Sequence, residues 1–131
     1  MFSVKFSETK AELEIKEFLK EIKKDENIIA AYLFGSYLTK KTKEESDVDI
    51  CIIPKSKDYN ANKYNQDLIQ ISNFYNLPPN IQYYILYFGK KLYVKKGKEY
   101  FIQKLGFKTI GEYEFYNRHI LKPRFEGIIN E

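Results

Sequence analysis

The chain has few of the residues that staple or ligate. A single cysteine, Cys51, excludes an internal disulfide, and its place in an apolar run reads as a buried thiol. That usage fits a reducing cytoplasm. The one histidine, His119, has no second ligand or nucleophile beside it and reads as a surface or packing residue. No apolar run approaches the ~18 residues of a membrane span. The opening Met1-Phe2-Ser3-Val4-Lys5 lacks a signal-peptide pattern, so no membrane attachment is expected. Repeats, low-complexity tracts and linkers are missing as well, and 131 residues read as one domain large enough to bury a core.

What is present is a lysine-rich chain. Hydrophobic residues make up 44% and charged residues 31%, the balance of a globular domain. Formal charge is +4, with only Arg118 and Arg124 among 22 basic residues. That excess is mild and comes with no recognition motif, which argues against nucleic acid as the main partner.

The stretch from Ala31 to Ile53 carries the chemistry. It reads as an apolar strand, a Gly35-Ser36 turn, a charged connection, and a second apolar strand that opens with Asp47-Val48-Asp49. Ten residues separate Ser36 from Asp47. Side chains alternate along a strand, so Asp47 and Asp49 share a face while Val48, Ile50 and Ile52 point into a core. Two carboxylates that close repel, and a cation between them relieves the repulsion. Magnesium takes oxygen ligands and is commonly held by one or two carboxylates plus substrate phosphates. Glycine lets backbone approach a ligand closely, and N–H groups at such a turn cradle phosphate.

Gly35-Ser36, the spacer and Asp47-x-Asp49 resemble the signature of the DNA polymerase beta-like nucleotidyltransferase superfamily, and most closely its minimal stand-alone members, which form the antitoxin half of HEPN/MNT pairs. The likeness continues through Pro78-Pro79 to Tyr93 and so runs from about Ile28 to Val94. It implies an α/β (α+β) domain, a small mixed sheet flanked by helices, with a core over about 9–94 and a helical tail over about 97–131. It implies Mg2+ on Asp47 and Asp49, the catalytic carboxylates, with ATP or another nucleoside triphosphate held by Gly35, Ser36 and Lys40. Lys40 and Lys41 also read as ordinary solvated loop lysines. A HEPN-type protein is the implied partner. Two departures stand out. Thr39-Lys40 occupies the place of an Arg-Gly pair common in the family. Counting back from Pro78-Pro79, Gln70 falls where the third carboxylate belongs, and Asp67, at odd spacing, reaches that face only through a bulge.

The remaining elements follow from periodicity. Thr9 to Lys24 predicts an amphipathic helix with Ala11, Ile15, Phe18, Leu19 and Ile22 on one face and a Thr9/Glu12 capping box. Ile28 to Phe34 predicts a central strand, and Asp47 to Ile53 a second strand ended by Pro54. A short helix over Asn60 to Asp67, a third strand over Leu68 to Phe74 and a strand at Leu92 to Val94 complete the sheet region. Asn80 to Phe88 predicts a helix with Ile81, Tyr84, Ile85 and Phe88 inward and Gly89 at its end. From Glu99 the pattern predicts one or two helices stopped by Pro123. The abundant aromatics serve either packing on the sheet or docking of a partner.

Three functions are open on these grounds: a nucleotidyltransferase placing AMP from ATP on a protein hydroxyl, a catalytically degenerate nucleotide-binding antitoxin acting by contact, and, with least support, a nucleic-acid-binding domain.

Overall fold

The computed structural model describes residues 9–35, 37 and 47–124. Four strands, β1 (Ile28–Phe34), β2 (Val48–Pro54), β3 (Ile69–Asn73) and β4 (Lys90–Val94), form one mixed sheet in the order β3-β2-β1-β4. β1 runs antiparallel to both β2 and β4, while β2 and β3 are parallel. The two inner strands are the two most apolar runs of the chain, as burial on both faces requires. The small mixed sheet flanked by helices is the α+β architecture expected.

One face is covered by α1 (Lys10–Lys23). Ala11, Phe18 and Ile22 are buried there against Val48, Ile50, Ile52, Ile69 and Ile71, with Ile15 and Leu19 at the margin. Thr9 caps the helix by accepting a hydrogen bond from Glu12 N at 3.1 Å. Glu14, which the periodicity leaves on the polar side, is buried instead. Its Oε1 accepts from Leu68 N at 3.0 Å and Ile69 N at 3.3 Å, so a helix side chain satisfies the backbone at the start of β3.

The other face is covered by α2 (Pro79–Phe88) and α3 (Glu99–Tyr116). Here the expected inward stripe of α2 is corrected. Ile85 is fully buried and Gln82 nearly so, but Tyr84 and Phe88 are exposed, Phe88 at 62%. Gln82 goes inside because its Nε2 donates to Phe74 O at 2.9 Å, which satisfies a carbonyl that an apolar residue could not. Tyr83 stacks on Tyr113 of α3, rings 4.4 Å apart and 6° from parallel. Gly89 ends α2 with an ordinary φ of −73°. Glycine is needed there for space, since a Cβ would lie 2.5 Å from Ile85 O and 3.1 Å from Leu33 O.

Two more expectations change. The stretch from Asn60 to Asp67 holds a single 3₁₀ turn, Ala61–Tyr64, in place of a helix. Its asparagines bond backbone elsewhere: Asn60 Oδ1 accepts from Asn62 N, and Asn65 Oδ1 from Ile71 N at 2.8 Å. At the other end, Pro123 does not stop α3. A π-helical turn, Asn117–Leu121, follows it directly, and helical backbone continues through Pro123 to Arg124. The wider turn loosens the hydrogen-bond ladder ahead of a residue with no N–H to donate. His119 is exposed and lies against Phe115, ring centres 4.4 Å apart. Cys51 is fully buried, and burial pushes its thiol well above the usual range. No described helix is long and apolar enough to cross a membrane.

Candidate nucleotide and metal site

Antiparallel pairing of β1 and β2 brings the Gly35 turn and the Asp47-Val48-Asp49 opening to the same end of the sheet. Phe34 is the direct cross-strand partner of Asp49, so Gly35 leaves β1 at the level of that carboxylate. Gly35 has a φ of +83°, where glycine has no steric cost. The approach is also too close for any other residue: a Cβ would lie 2.6 Å from Asp49 Oδ2. The bend and the acid therefore face each other across a gap that a methyl group would fill. Ser36 and Lys40, the other two expected phosphate ligands, lie outside the described residues.

Val48 and Ile50 are completely buried on the α1 face, which leaves Asp47 and Asp49 together on the opposite face, Asp47 exposed and Asp49 partly buried. Burial pushes the Asp49 carboxyl above the usual carboxylate range, and the Asp47 charge pushes it the same way. Among the described residues no hydrogen-bond donor reaches the Asp49 carboxylate.

Gln70 is the Cα partner of Asp49 in the parallel β2–β3 pairing. It is exposed between the buried Ile69 and Ile71, and so stands on the face of the two aspartates. The register runs without a break from Val48↔Ile69 to Ile52↔Asn73, and the bulge that would turn Asp67 inward is missing. Asp67 lies ahead of β3 and pairs with Lys10 at 2.6 Å. Among the described residues no third His, Cys, Asp or Glu joins the aspartate pair. The donor set is thus two carboxylates and one amide, all hard oxygen ligands, beside a glycine cradle. It fits a divalent cation that takes its remaining ligands from a bound phosphate.

The fold sets a glycine bend beside a pair of aspartates at one end of a small mixed sheet. The sequence matches the family model described as polymerase beta, nucleotidyltransferase over residues 14–98. The chain belongs to that nucleotidyltransferase family, whose chemistry runs through a divalent metal and a nucleotide substrate. No curated protein matches it by sequence.

Solved structures share its fold at low identity. One is a toxin-antitoxin complex with AMP-PNP, a chain of which matches at a TM-score of 0.70 and 17% identity, covering 89% of this chain and 98% of that one. Another is the MntA-HepT toxin-antitoxin, at 0.65 and 16% over 89% and 98%. A third is tri-AMPylated Shewanella oneidensis HEPN toxin in complex with MNT antitoxin, at 0.64 and 17% over the same shares. The minimal nucleotidyltransferase fold expected from the Gly35-Ser36 and Asp47-x-Asp49 motifs is the fold observed.

Proposed function

We propose that this protein is a Mg2+-dependent nucleotidyltransferase that moves AMP from ATP to a protein hydroxyl, and that it acts in the cytoplasm as antitoxin to a HEPN toxin. The observation that carries the reading is the packing of the Gly35 backbone against the Asp49 carboxylate. Family membership supports the chemistry. The complexes with AMP-PNP and with an AMPylated HEPN toxin, among the structures sharing the fold, support the nucleotide and the partner.

Asp47 and Asp49 would hold the metal, with the Gln70 amide oxygen as a weaker neighbour. Bound there, Mg2+ supplies charge neutralisation at the triphosphate and a lower pKa for the incoming hydroxyl. The Gly35 turn would offer backbone N–H groups to the phosphate chain, and Ser36 and Lys40 carry the hydroxyl and ammonium that the family resemblance assigns to the same task. The acceptor oxygen forms a bond to the α-phosphorus, the α–β bridging bond breaks, and pyrophosphate leaves. The amide of Gln70 cannot take the acceptor proton, which passes to water. Phosphoryl and nucleotidyl transfer lean mainly on positioning and charge stabilisation. A missing base therefore slows the reaction without forbidding it.

The decisive experiment is incubation with labelled ATP, Mg2+ and a HEPN-type toxin as the candidate partner. Label on the partner above that given by an Asp47→Ala/Asp49→Ala control supports the reading, and equal label in both removes it. Gln70 favours a second reading, a catalytically degenerate antitoxin that holds metal and nucleotide but neutralises its partner by contact. Gln70→Asp separates the two: a large gain of transfer from a silent wild type supports contact-only action, while efficient transfer by the wild type excludes it.

A further inference from the structure

β2 ends in a second cleft of opposite charge. Lys55 lies six residues past Asp49, roughly 20 Å away at ~3.3 Å per residue. Lys55 and Lys57 form one edge of a groove of about 480 Å³; Lys104 and Lys108, one turn apart on α3, form the other. Tyr75, Phe101 and Leu105 make an apolar floor between them. A smaller pocket of about 140 Å³ shares Lys57, Tyr75, Leu105 and Lys108 and adds Glu112. Four lysines thus line the groove against one carboxylate; Lys104 Nζ lies over the Tyr100 ring, 5.5 Å from its centre, and Glu112 stands 3.8 Å from Lys108 in a solvent-exposed pair. Phe101 is 37% exposed, an aromatic ring open to a ligand.

The groove is braced from below by one residue. Asn73 is 4% exposed. Its Nδ2 donates to Lys57 O and Tyr59 O, each at 3.1 Å, and its Oδ1 accepts from Tyr75 N at 3.0 Å. A buried amide therefore fixes the backbone of a lysine on the rim and of an aromatic on the floor at once. Lysines on both sides of a cleft give it a positive potential that draws in an anion.

We propose that this groove is a second ligand site that binds one nucleotide unit, the phosphate between the two lysine edges and the base against Phe101 and Tyr75. Its volume lies within the ordinary range for small-ligand sites, and its charge and aromatic floor match phosphate and base respectively. The unit comes either as a free nucleotide or as the end of an RNA strand. The site needs no metal and stands apart from the aspartates, so it holds or fails independently of nucleotidyl transfer.

The test uses the full chain carrying Asp47→Asn/Asp49→Asn, in EDTA, so that the acidic site is silent. Backbone amide NMR spectra are followed on titration with ATP, with a 5′-phosphorylated pentaadenylate and with an acidic peptide. Saturable shifts at Lys55, Lys57, Tyr75 and the Phe101–Lys108 segment of α3 are expected, weakening as salt is raised. Lys57→Glu and Lys104→Glu, both at exposed positions, should each weaken binding by about tenfold or more. Glu112→Gln should tighten it about twofold, a gain that misfolding cannot produce. Saturation by ATP identifies a free nucleotide as the occupant; saturation by the oligonucleotide alone identifies a strand end. No shifts with either, or tighter binding of the acidic peptide, would overturn the proposal.

Discussion

Asp25 and Asp49 are both partly buried carboxylates, and the structure treats them in opposite ways. Burial alone would raise each. At Asp25 that effect is outweighed by donors: the hydroxyls of Tyr59 and Tyr64, the latter at 2.7 Å, the amide of Asn27 at 2.9 Å, and Lys63 at 3.4 Å. Its carboxyl falls to about 2. In return burial and the bond to Asp25 push the Tyr59 phenol up to about 12. At Asp49 burial is reinforced by Asp47, and the carboxyl rises. A satisfied acid ties loop to loop and has nothing left to offer a ligand. Asp49 has no such donor among the described residues, and it stands against a glycine that leaves room beside it. The opposite directions of the two carboxyls are set by their neighbours, not by the residue type.

The largest effect should separate the two acids by what they do. Asp47→Asn/Asp49→Asn is expected to lower transfer of labelled AMP by on the order of a thousandfold while leaving the unfolding midpoint in urea almost unchanged. Gly35→Ala comes next. The new methyl meets Asp49 Oδ2 in a left-handed backbone, so activity should fall by roughly 30-fold or more and stability by about 1–3 kcal/mol.

Asp25→Asn should do the reverse of the first variant, with transfer intact and stability lower by roughly 2 kcal/mol at neutral pH. A carboxyl that titrates near 2 when folded and near 3.8 when unfolded contributes its stability above the higher value. That contribution disappears as pH falls through about 2, so wild type and Asp25→Asn should converge in acid denaturation scans. The smallest effect is the most pointed. Asp49 is raised, so its ionised form opposes folding. Asp49→Asn should stabilise the metal-free protein by less than about 1 kcal/mol at neutral pH, a gain that fades as pH falls through the raised pKa. Added Mg2+ and ATP should stabilise wild type and not the variant, and a calorimetric scan with and without EDTA checks both signs.

Much of the site's frame was legible because strand pairing makes it local. A strand, a turn and an antiparallel return confine Gly35 and Asp49 to one end whatever the connection does. The family's spacing ahead of Pro78-Pro79 puts Gln70 at the third-carboxylate position, and the strand register pairs it with Asp49. The Asp25 cluster left no trace in the sequence, since its tyrosines lie 34 and 39 residues away in a segment that looked only polar. The lysine groove was hidden for the same reason, its two edges coming from chain segments some fifty residues apart. On α2 the apolar pattern misled because an aromatic can stack on a neighbouring helix while still facing water, as Tyr83 does on Tyr113. Buried polar residues such as Glu14 and Gln82 are invisible to periodicity, which scores hydrophobicity and not the backbone groups in need of a partner.

Cys51 sits at the centre of β2 with no exposed surface. Alkylation of that sulfur requires the middle of the sheet to come apart, so the rate of thiol labelling is a clock for opening of the domain. Because the chain carries no other cysteine, that clock can be read in crude mixtures, with ligands added one at a time, and without engineering a probe into the molecule.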